Sequence, residues 1–226
     1  MTVSKRPVET LQQQIEVFQA QLATQLPAEM LSELAKSSAD LIQTGIAQQS
    51  VKTGEQAPDF TLPDVFGNSV TLSGLLKQGP VVATFYRGEW CPFCNLQLRA
   101  YQRILPQIQA LGAALVAISP QTPDHSLSTV EKKDLTFSVL SDVGNTVARA
   151  YRIVFTLEES IRPLYTTIGS DLPTFNGDAS WELPMPATFL VAQDGTVRLA
   201  FVSEDYTRFL EPADLLEGLR ALAGTR

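Results

Sequence analysis

Two apolar strands joined by a helix, within residues 80–119, constrain the fold more than any other feature of this sequence. The stretches "PVVATFYR" (80–87) and "AALVAIS" (113–119) are continuous apolar runs, typical of strands covered on both faces. Residues 94–111 carry apolar side chains at mostly helical spacing, and Pro106 is expected to bend that helix. A strand, a helix and a strand in this space form a crossover unit between parallel strands. The chain is therefore predicted to be an α/β protein.

Shorter elements continue the alternation on both sides of this unit. Two hairpins are predicted, with turns at Gly67-Asn68 and at Asp194-Gly195. The remaining predicted elements are helices at 124–133, 144–151 and 212–224 and a strand in "FSVLSD" (137–142). The segment 169–184 is long and irregular and contains Phe175 and Trp181. Such loops are often functional, so it is a candidate lid or substrate wall, with a surface insertion as the alternative.

The N-terminal part reads as two helices in residues 7–48. An apolar stripe runs along each helix, while Ser38 and Asp40 are expected to face away from it. We place a domain boundary near Val51, which divides the chain into a helical extension (1–50) and a main domain (51–226). We expect this helical hairpin to pack on the main domain. The alternative is that it serves as a dimerisation or partner-docking arm, so a homodimer remains a possible assembly.

Composition narrows the functional classes. The 226 residues carry a net charge of -7, and no basic stripe interleaved with aromatic residues is present, so nucleic acid is not an expected partner. The sequence contains no tract of about 18 consecutive apolar residues, the length that a membrane-spanning helix needs. The N-terminus becomes polar where a secretory signal would have its apolar run, which predicts a cytoplasmic protein.

Both cysteines of the chain, Cys91 and Cys94, lie where the first buried strand gives way to a helix. The start of a helix stabilises a thiolate and lowers its pKa, so the position favours reactivity. In a reducing cytosol such a pair indicates redox chemistry or a metal site rather than a structural disulfide. Zinc needs about four ligands, and His125 is the only histidine, so no metal is expected. No glycine-rich phosphate loop is seen, and no cofactor is predicted.

The residues around the pair resemble those of the thioredoxin superfamily. "EWCPFC" is similar to the W-C-x-x-C of thiol-disulfide oxidoreductases, and "MPATFLVAQDGTVR" (185–198) resembles the superfamily's second signature. Pro186 there matches the proline that is cis in thioredoxin-like proteins. The resemblance implies a thioredoxin-like fold, with a central mixed sheet flanked by helices, and leaves the N-terminal hairpin as an extension.

The wider chain, residues 54–223, resembles the peroxiredoxin branch, in an AhpC/TSA-type subgroup that carries C-x-x-C. The similar stretches are "GEQAPDFTLPDVFGNSVTLSGLL", "FYRGEWCPFC" and "VLSDVGNTVARAY". By this resemblance Cys94 falls on the peroxidatic cysteine and Cys91 on the threonine that hydrogen-bonds the peroxide. Arg87 stands in place of a proline, and Pro186 occupies the position of a stabilising arginine. Arg87, and after it Arg208, are the candidates to supply the missing positive charge.

The resemblance implies a thiol peroxidase for hydrogen peroxide and organic hydroperoxides. Cys94 attacks the peroxide, Cys91 resolves the sulfenic acid, and thioredoxin or a glutaredoxin-like dithiol reduces the disulfide. Trp90 and Trp181 are the candidate substrate contacts beside Arg208. In the alternative, a thiol-disulfide oxidoreductase, Cys91 attacks first. A redox-sensing or binding module that uses the N-terminal hairpin is a third hypothesis.

Overall fold

The structure is a computed structural model that describes residues 9–224, so residues 1–8 of the predicted extension and residues 225–226 lie outside the described part. The helices are α1 (Leu11–Gln25), α2 (Ala28–Thr44), α3 (Leu72–Leu76), α4 (Pro92–Ala110), α5 (Pro123–Lys133), α6 (Thr146–Ala150), α7 (Arg162–Thr167), α8 (Leu172–Asn176) and α9 (Pro212–Gly224). The strands are β1 (Thr61–Pro63), β2 (Ser69–Thr71), β3 (Val81–Phe85), β4 (Ala114–Ser119), β5 (Ser138–Ser141), β6 (Val154–Thr156), β7 (Glu182–Pro184), β8 (Ala187–Val191) and β9 (Val197–Val202). Single 3₁₀ turns occupy Ile46–Gln49 and Glu159–Ile161.

A five-stranded mixed sheet forms the centre of the molecule, in the order β5-β4-β3-β8-β9. Strands β3, β4 and β5 run parallel, while β8 is antiparallel to both β3 and β9. Every residue of β3 is buried, as its continuous apolar sequence predicted. The predicted thioredoxin-like architecture, a mixed sheet with helices on both faces, is confirmed.

Alternate side chains of the sheet enter two different cores. Val82 of β3 belongs to the core that also contains apolar residues of α1, α4 and α9. Its neighbours Val81 and Ala83 belong to the opposite core, which is closed by β1, α3 and α6. Helix α4 therefore lies directly against the sheet, and its first turn is fixed at the end of β3.

Helix α1 packs on the main domain through a small number of strong contacts. Leu11 and Ile15 are buried in the core beside α4. The Phe18 ring packs edge-on against that of Phe93, with 5.5 Å between centroids. The Glu211 carboxylate accepts hydrogen bonds from the backbone N–H groups of Leu11 and Gln12, at 3.0 and 2.7 Å. The interpretation that the hairpin packs on the domain is confirmed for the described residues.

Helix α2 is held more loosely than α1. None of its residues is fully buried. Met30 and Leu34 pack against a small third core formed mainly by residues of the 157–183 region. The helix thus covers the domain without belonging to its main cores.

The region 152–184 contains more regular structure than the sequence indicated. Strands β6 and β7 pair as a small antiparallel sheet, and α7 and α8 lie between them. The prediction of an irregular segment at 169–184 is wrong, because α8 and β7 lie inside it. These elements are only three to six residues long, which is too short to produce a periodic pattern. Within residues 9–224, no helix is long and apolar enough to cross a lipid bilayer.

Candidate active site

The cysteine pair lies at the N-terminus of α4, at the end of the buried strand β3. Cys91 is the N-cap residue and Pro92 the first helical residue, where the missing N–H of proline costs nothing. Cys94 follows one turn later, inside the helix. Backbone N–H groups at this helix end point toward the Cys91 sulfur, because the first turn has no carbonyl partners for them.

The surroundings of Cys91 favour its thiolate. Burial alone would raise its pKa. Hydrogen bonding by the Cys94 thiol, the positive charge of Arg87 and the backbone N–H groups of Cys94 and Phe93 outweigh that effect, and the pKa falls to about 7. The thiolate of Cys91 is therefore favoured relative to that of an ordinary thiol, and thiolates are the nucleophilic form of cysteine.

Cys94 has the opposite character. It is fully buried, and burial raises its pKa, with the hydrogen bond and charge of Cys91 acting in the same direction. Its thiol belongs to the core that joins α4 to the sheet. Cys94 is thus a buried thiol whose protonated form is favoured beside Cys91.

Arg87 is a buried cation without a carboxylate partner. Its side chain lies between the rings of Trp90, Tyr165 and Tyr206, with its guanidinium carbon 4.9, 5.6 and 4.5 Å from their centroids. One guanidinium nitrogen donates a hydrogen bond to the Tyr165 hydroxyl, and Nε has no partner among the described residues. Among residues 9–224 no ion pair involves Arg87. The thiolate of Cys91 is the anion that its charge stabilises.

Gly88 allows this packing. Its φ of 151° and its position against the Trp90 indole leave no room for a side chain. A Cβ there would collide with the indole Nε1 and its neighbouring carbons. The loop between β3 and α4 therefore brings Arg87 and Trp90 together on the same side of the cysteines.

Two cavities meet at Arg87. The larger has a volume of about 650 Å³, and Cys91, Trp90 and Phe93 form its floor against α1 and α2. The smaller, about 380 Å³, is more polar and extends toward the Arg149–Glu182 ion pair. Ser38 of α2 lines both, so this helix crosses above the site between two openings.

The expectation that Ser38 and Asp40 face away from the packed side of α2 is wrong. Both are half-buried, and Asp40 lines the smaller cavity. Ser38 lines both cavities together with Arg87, and apolar residues of the same helix line the larger one.

The other predicted site residues are dispersed. Trp90, a predicted substrate contact, lines the larger cavity. Arg208 is on the surface, with 61% of its side chain exposed and its Nε 3.8 Å from Asp205. Trp181 packs under the Arg162 guanidinium and does not line either cavity. The segment 169–184, the candidate substrate wall, contributes Ser170 to the lining of the larger cavity.

Pro186 is buried at the start of β8, next to the pairing of Phe85 with Ala187, so it lies at the same sheet end as the cysteine loop. No peptide bond in residues 9–224 is cis, and the expected cis geometry at Pro186 is therefore wrong. The chain passes through Pro186 directly from β7 into β8, and an extended backbone there suits the trans bond that proline also prefers.

Sequence reasoning missed Tyr165, Tyr206 and the apolar wall of α1 and α2. Tyr206 is two residues from Arg208, in a segment that had been singled out for its arginine. Burial, followed by the nearby Tyr165, raises the pKa of Tyr206 to about 12, so its hydroxyl stays protonated beside the thiolate. No feature of the sequence around Tyr165 indicated a role in the site.

Comparison with known proteins agrees with this fold. The model of the AhpC/TSA family matches residues 53–200, which is more than half of the chain. The chain belongs to the AhpC/TSA family. The matched region includes both cysteines and Arg87, whereas the N-terminal hairpin lies outside it.

Among curated members of the family, peroxiredoxin Q from Populus jackii chloroplasts is 33% identical over 103 residues, covering 46% of this chain and 48% of the relative. Peroxiredoxin Q from Triticum aestivum is 34% identical over 110 residues, covering 49% and 50%. The matches thus span about half the length of these relatives.

Solved structures of family members share the fold. Peroxidoxin BcpB from Mycobacterium tuberculosis superimposes with a TM-score of 0.60 at 25% identity, covering 76% of this chain and 98% of that protein. Peroxiredoxin Q from Xanthomonas campestris gives a TM-score of 0.56 at 19% identity, covering 73% and 91%. The AhpC/TSA fold of the main domain is therefore supported by sequence and by shape.

Proposed function

We propose that this chain is a thiol-dependent peroxidase that reduces hydrogen peroxide and organic hydroperoxides with the Cys91–Cys94 pair. Membership of the AhpC/TSA family supports the reaction class. The observation that carries the proposal is the lowered pKa of Cys91 at the floor of a cavity, with a second thiol one helical turn away. This arrangement has a nucleophile, space for a substrate and a resolving group.

The reaction balances with these groups alone. The Cys91 thiolate attacks the terminal peroxide oxygen; an S–O bond forms, the O–O bond breaks, and the departing oxygen takes a proton to give water or an alcohol. Cys91 is then a sulfenic acid. The Cys94 thiol attacks the sulfur of this sulfenic acid, and the disulfide forms. The hydroxyl of the sulfenic acid and the proton of Cys94 leave together as water. An external dithiol reduces the disulfide by exchange and is itself oxidised.

This order of attack is the reverse of the one implied by the resemblance, which assigned the first step to Cys94. Cys91 lines the larger cavity and has the lowered pKa, whereas Cys94 is fully buried and has the raised pKa. Because only the thiolate is a strong nucleophile, the more acidic thiol, which also lines the cavity, is the better candidate for the first step. Cys94 as the first attacker remains the alternative.

Arg87 is proposed to stabilise the thiolate and to orient the peroxide. Its guanidinium faces both cavities and has an unpaired Nε hydrogen for a peroxide oxygen. Tyr165, which accepts a hydrogen bond from it, fixes the orientation of the guanidinium group.

The external reductant is proposed to be thioredoxin or a glutaredoxin-like protein in the cytoplasm. Curated relatives are peroxiredoxins, which supports a dithiol partner of this kind.

Single serine variants of the two cysteines test the proposal. One equivalent of hydroperoxide is added to each reduced variant, and peroxide loss and sulfenic acid are measured by mass spectrometry. Cys94→Ser is expected to consume one equivalent and to accumulate a sulfenic acid on Cys91, because the resolving thiol is missing. Cys91→Ser is expected to consume almost none. The opposite pattern would assign the attack to Cys94. If the wild type and both variants consumed no peroxide, the peroxidase proposal would be refuted.

Thiol-disulfide exchange with protein substrates is a second candidate, favoured by the low pKa of the first cysteine in Trp-Cys-x-x-Cys. Against it, Cys91 is 1% exposed, and a protein disulfide would have to bring its sulfur into direct contact with it. Insulin reduction in the presence of dithiothreitol distinguishes the two. The peroxidase proposal expects insulin reduction near the rate of dithiothreitol alone, together with rapid peroxide consumption.

A further inference from the structure

The first step needs a proton for the departing oxygen, and the Cys91 thiolate does not supply it. The oxygen that leaves hydrogen peroxide would otherwise depart as hydroxide, the conjugate base of water, whose pKa is about 15.7. A general acid that protonates such an oxygen typically accelerates a reaction by about 100- to 10,000-fold. A group beside Cys91 that can release a proton would therefore contribute a large part of the rate.

Most polar groups near Cys91 do not suit this role. Arg87 keeps its proton, because the surrounding hydroxyl and thiol groups raise its pKa despite burial. The indole nitrogen of Trp90 is buried and donates hydrogen bonds without releasing its proton. The Cys94 thiol lies in the core and loses its proton only in the following step. His125, the only histidine of the chain, lines neither cavity.

Tyr206 has the position of a proton donor. It lines both cavities together with Arg87, and Cys91 lines the larger of the two. Its ring centroid is 4.5 Å from the Arg87 guanidinium carbon and 5.9 Å from the centroid of the Phe93 ring. No residue in the described part of the chain hydrogen-bonds its hydroxyl, whereas the Tyr165 hydroxyl accepts a hydrogen bond from Arg87. The Tyr206 hydroxyl is therefore free to donate to a bound peroxide.

The charges around Tyr206 suit a transient loss of its proton. Burial and then Tyr165 raise its pKa to about 12; Arg87 acts to lower this pKa and Cys91 to raise it. Once the thiolate has become a sulfenic acid, the anion that opposes ionisation of the tyrosine is gone, while Arg87 remains to stabilise a tyrosinate. Because a pKa of about 12 lies below that of water, transfer of the proton to a departing hydroxide is downhill.

We infer that Tyr206 donates the proton to the departing oxygen in the first step. The inference rests on the proposed function and assigns a further catalytic residue to the same site. The Cys91 sulfur bonds to the terminal oxygen and gives up two electrons, and the O–O bond breaks. The Tyr206 hydroxyl passes its proton to the other oxygen, which leaves as water or an alcohol. The tyrosinate beside Arg87 then regains a proton from water in the cavity.

Tyr206→Phe tests this role, because it removes the hydroxyl and keeps the ring that packs on Arg87. First-step rate constants are measured in single turnovers of the reduced protein with hydrogen peroxide, tert-butyl hydroperoxide and peracetic acid. The first two release a strongly basic oxygen, whereas peracetic acid releases acetate, which needs no proton. The variant is expected to be at least about tenfold slower with the first two and nearly unchanged with peracetic acid.

Two controls separate proton donation from a change in the shape of the site. Tyr151→Phe removes a hydroxyl that is buried in the opposite core without a hydrogen-bond partner among residues 9–224, and it should leave all three rate constants unchanged. Alkylation of Cys91 by iodoacetamide needs a thiolate but no acid. The wild type and Tyr206→Phe should therefore be alkylated at similar rates.

Hydrogen peroxide reduction by Tyr206→Phe at the wild-type rate would overturn the inference and leave the peroxidase intact. Equal slowing with peracetic acid, or slower alkylation, would give Tyr206 a structural role in place of proton donation. A wild type that consumes none of the three peroxides would refute the peroxidase itself, and the proton donor with it.

Discussion

Arg87 is a buried guanidinium surrounded by three aromatic rings and two thiols. Burial opposes its charge, but the neighbouring Tyr165 hydroxyl, the two thiols and Tyr206 more than offset this effect and raise its pKa. A buried charge without a partner is costly, so a fixed anion beside it is strongly favoured. In this site the one group that can become that anion near neutral pH is Cys91.

Replacing Arg87 tests this electrostatic coupling directly. In Arg87→Ala the pKa of Cys91 is expected to rise from about 7 toward the ordinary thiol value of about 8.5. The pH profile of iodoacetamide alkylation, measured on the Cys94→Ser background so that one thiol reacts, reports the change. Arg87→Lys, which keeps a positive charge, should show a smaller rise, and Arg208→Ala serves as the surface-arginine control. An unchanged profile in Arg87→Ala would remove Arg87 from the site.

Helix α1 depends on a carboxylate from the far end of the chain. Glu211 caps its first N–H groups, and Thr10 and Gln13 form a capping box at the same turn. A negative charge at a helix N-terminus also interacts favourably with the helix dipole. This turn therefore anchors the hairpin that roofs the cavity.

Glu211→Ala is expected to destabilise α1 by about 1 to 2 kcal/mol, because a charge-assisted cap is lost and two N–H groups lose their acceptor. Limited trypsin or elastase digestion should then cut the N-terminal hairpin faster than in the wild type, while the main domain stays resistant. Glu217→Ala, at an exposed residue of helix α9, which begins directly after Glu211, is the matched control. Equal digestion of both variants would show that Glu211 does not anchor the hairpin.

At the scale of the whole molecule, the two thiols give stability opposite dependences on pH. The folded pKa of Cys91 is lowered, so its contribution is fully present above the unfolded value of about 8.5 and is lost as pH falls through about 7. The folded pKa of Cys94 is raised, so ionisation of the unfolded thiol removes stability above about 8.5.

The free energy of unfolding of the reduced protein is therefore expected to rise by about 1 kcal/mol between pH 7 and 8.5 relative to Cys91→Ser, and to level off or fall beyond. Urea denaturation with a phosphine reductant at several pH values measures this difference. Titrating groups other than the two thiols are the same in both proteins and cancel, and the contribution of Cys94 falls above about pH 8.5, beyond the expected rise. A difference that is constant with pH would contradict a lowered Cys91 pKa.

The fold of the main domain followed from the sequence where the elements were long. Strands β3 and β4 and helix α4 were visible because apolar residues covered whole runs or repeated at helical spacing. The short elements between residues 152 and 184 gave no such pattern. The cysteine site could be located because it lies between a strand and a helix, and the residues next to it in the sequence show this.

The rest of the site depends on tertiary contacts. Tyr165 and Tyr206 reach Arg87 from segments distant in sequence, and the roof comes from α2, whose polar Ser38 was expected to face away. The order of the two cysteines illustrates the same point. Position in a motif suggested Cys94, whereas hydrogen bonding and charge in the packed structure lower the pKa of Cys91 and support the proposal that it attacks first.

The missing carboxylate partner of Arg87 also has an energetic consequence for turnover. When Cys91 and Cys94 join as a disulfide, the thiolate disappears and the guanidinium remains buried among aromatic rings without its counter-ion. Every pKa unit by which the protein stabilises the thiolate makes the disulfide more oxidising by about 30 mV at pH values where the thiolate is formed. The arginine that prepares the sulfur for peroxide thus also drives the oxidised pair back toward its reduced state.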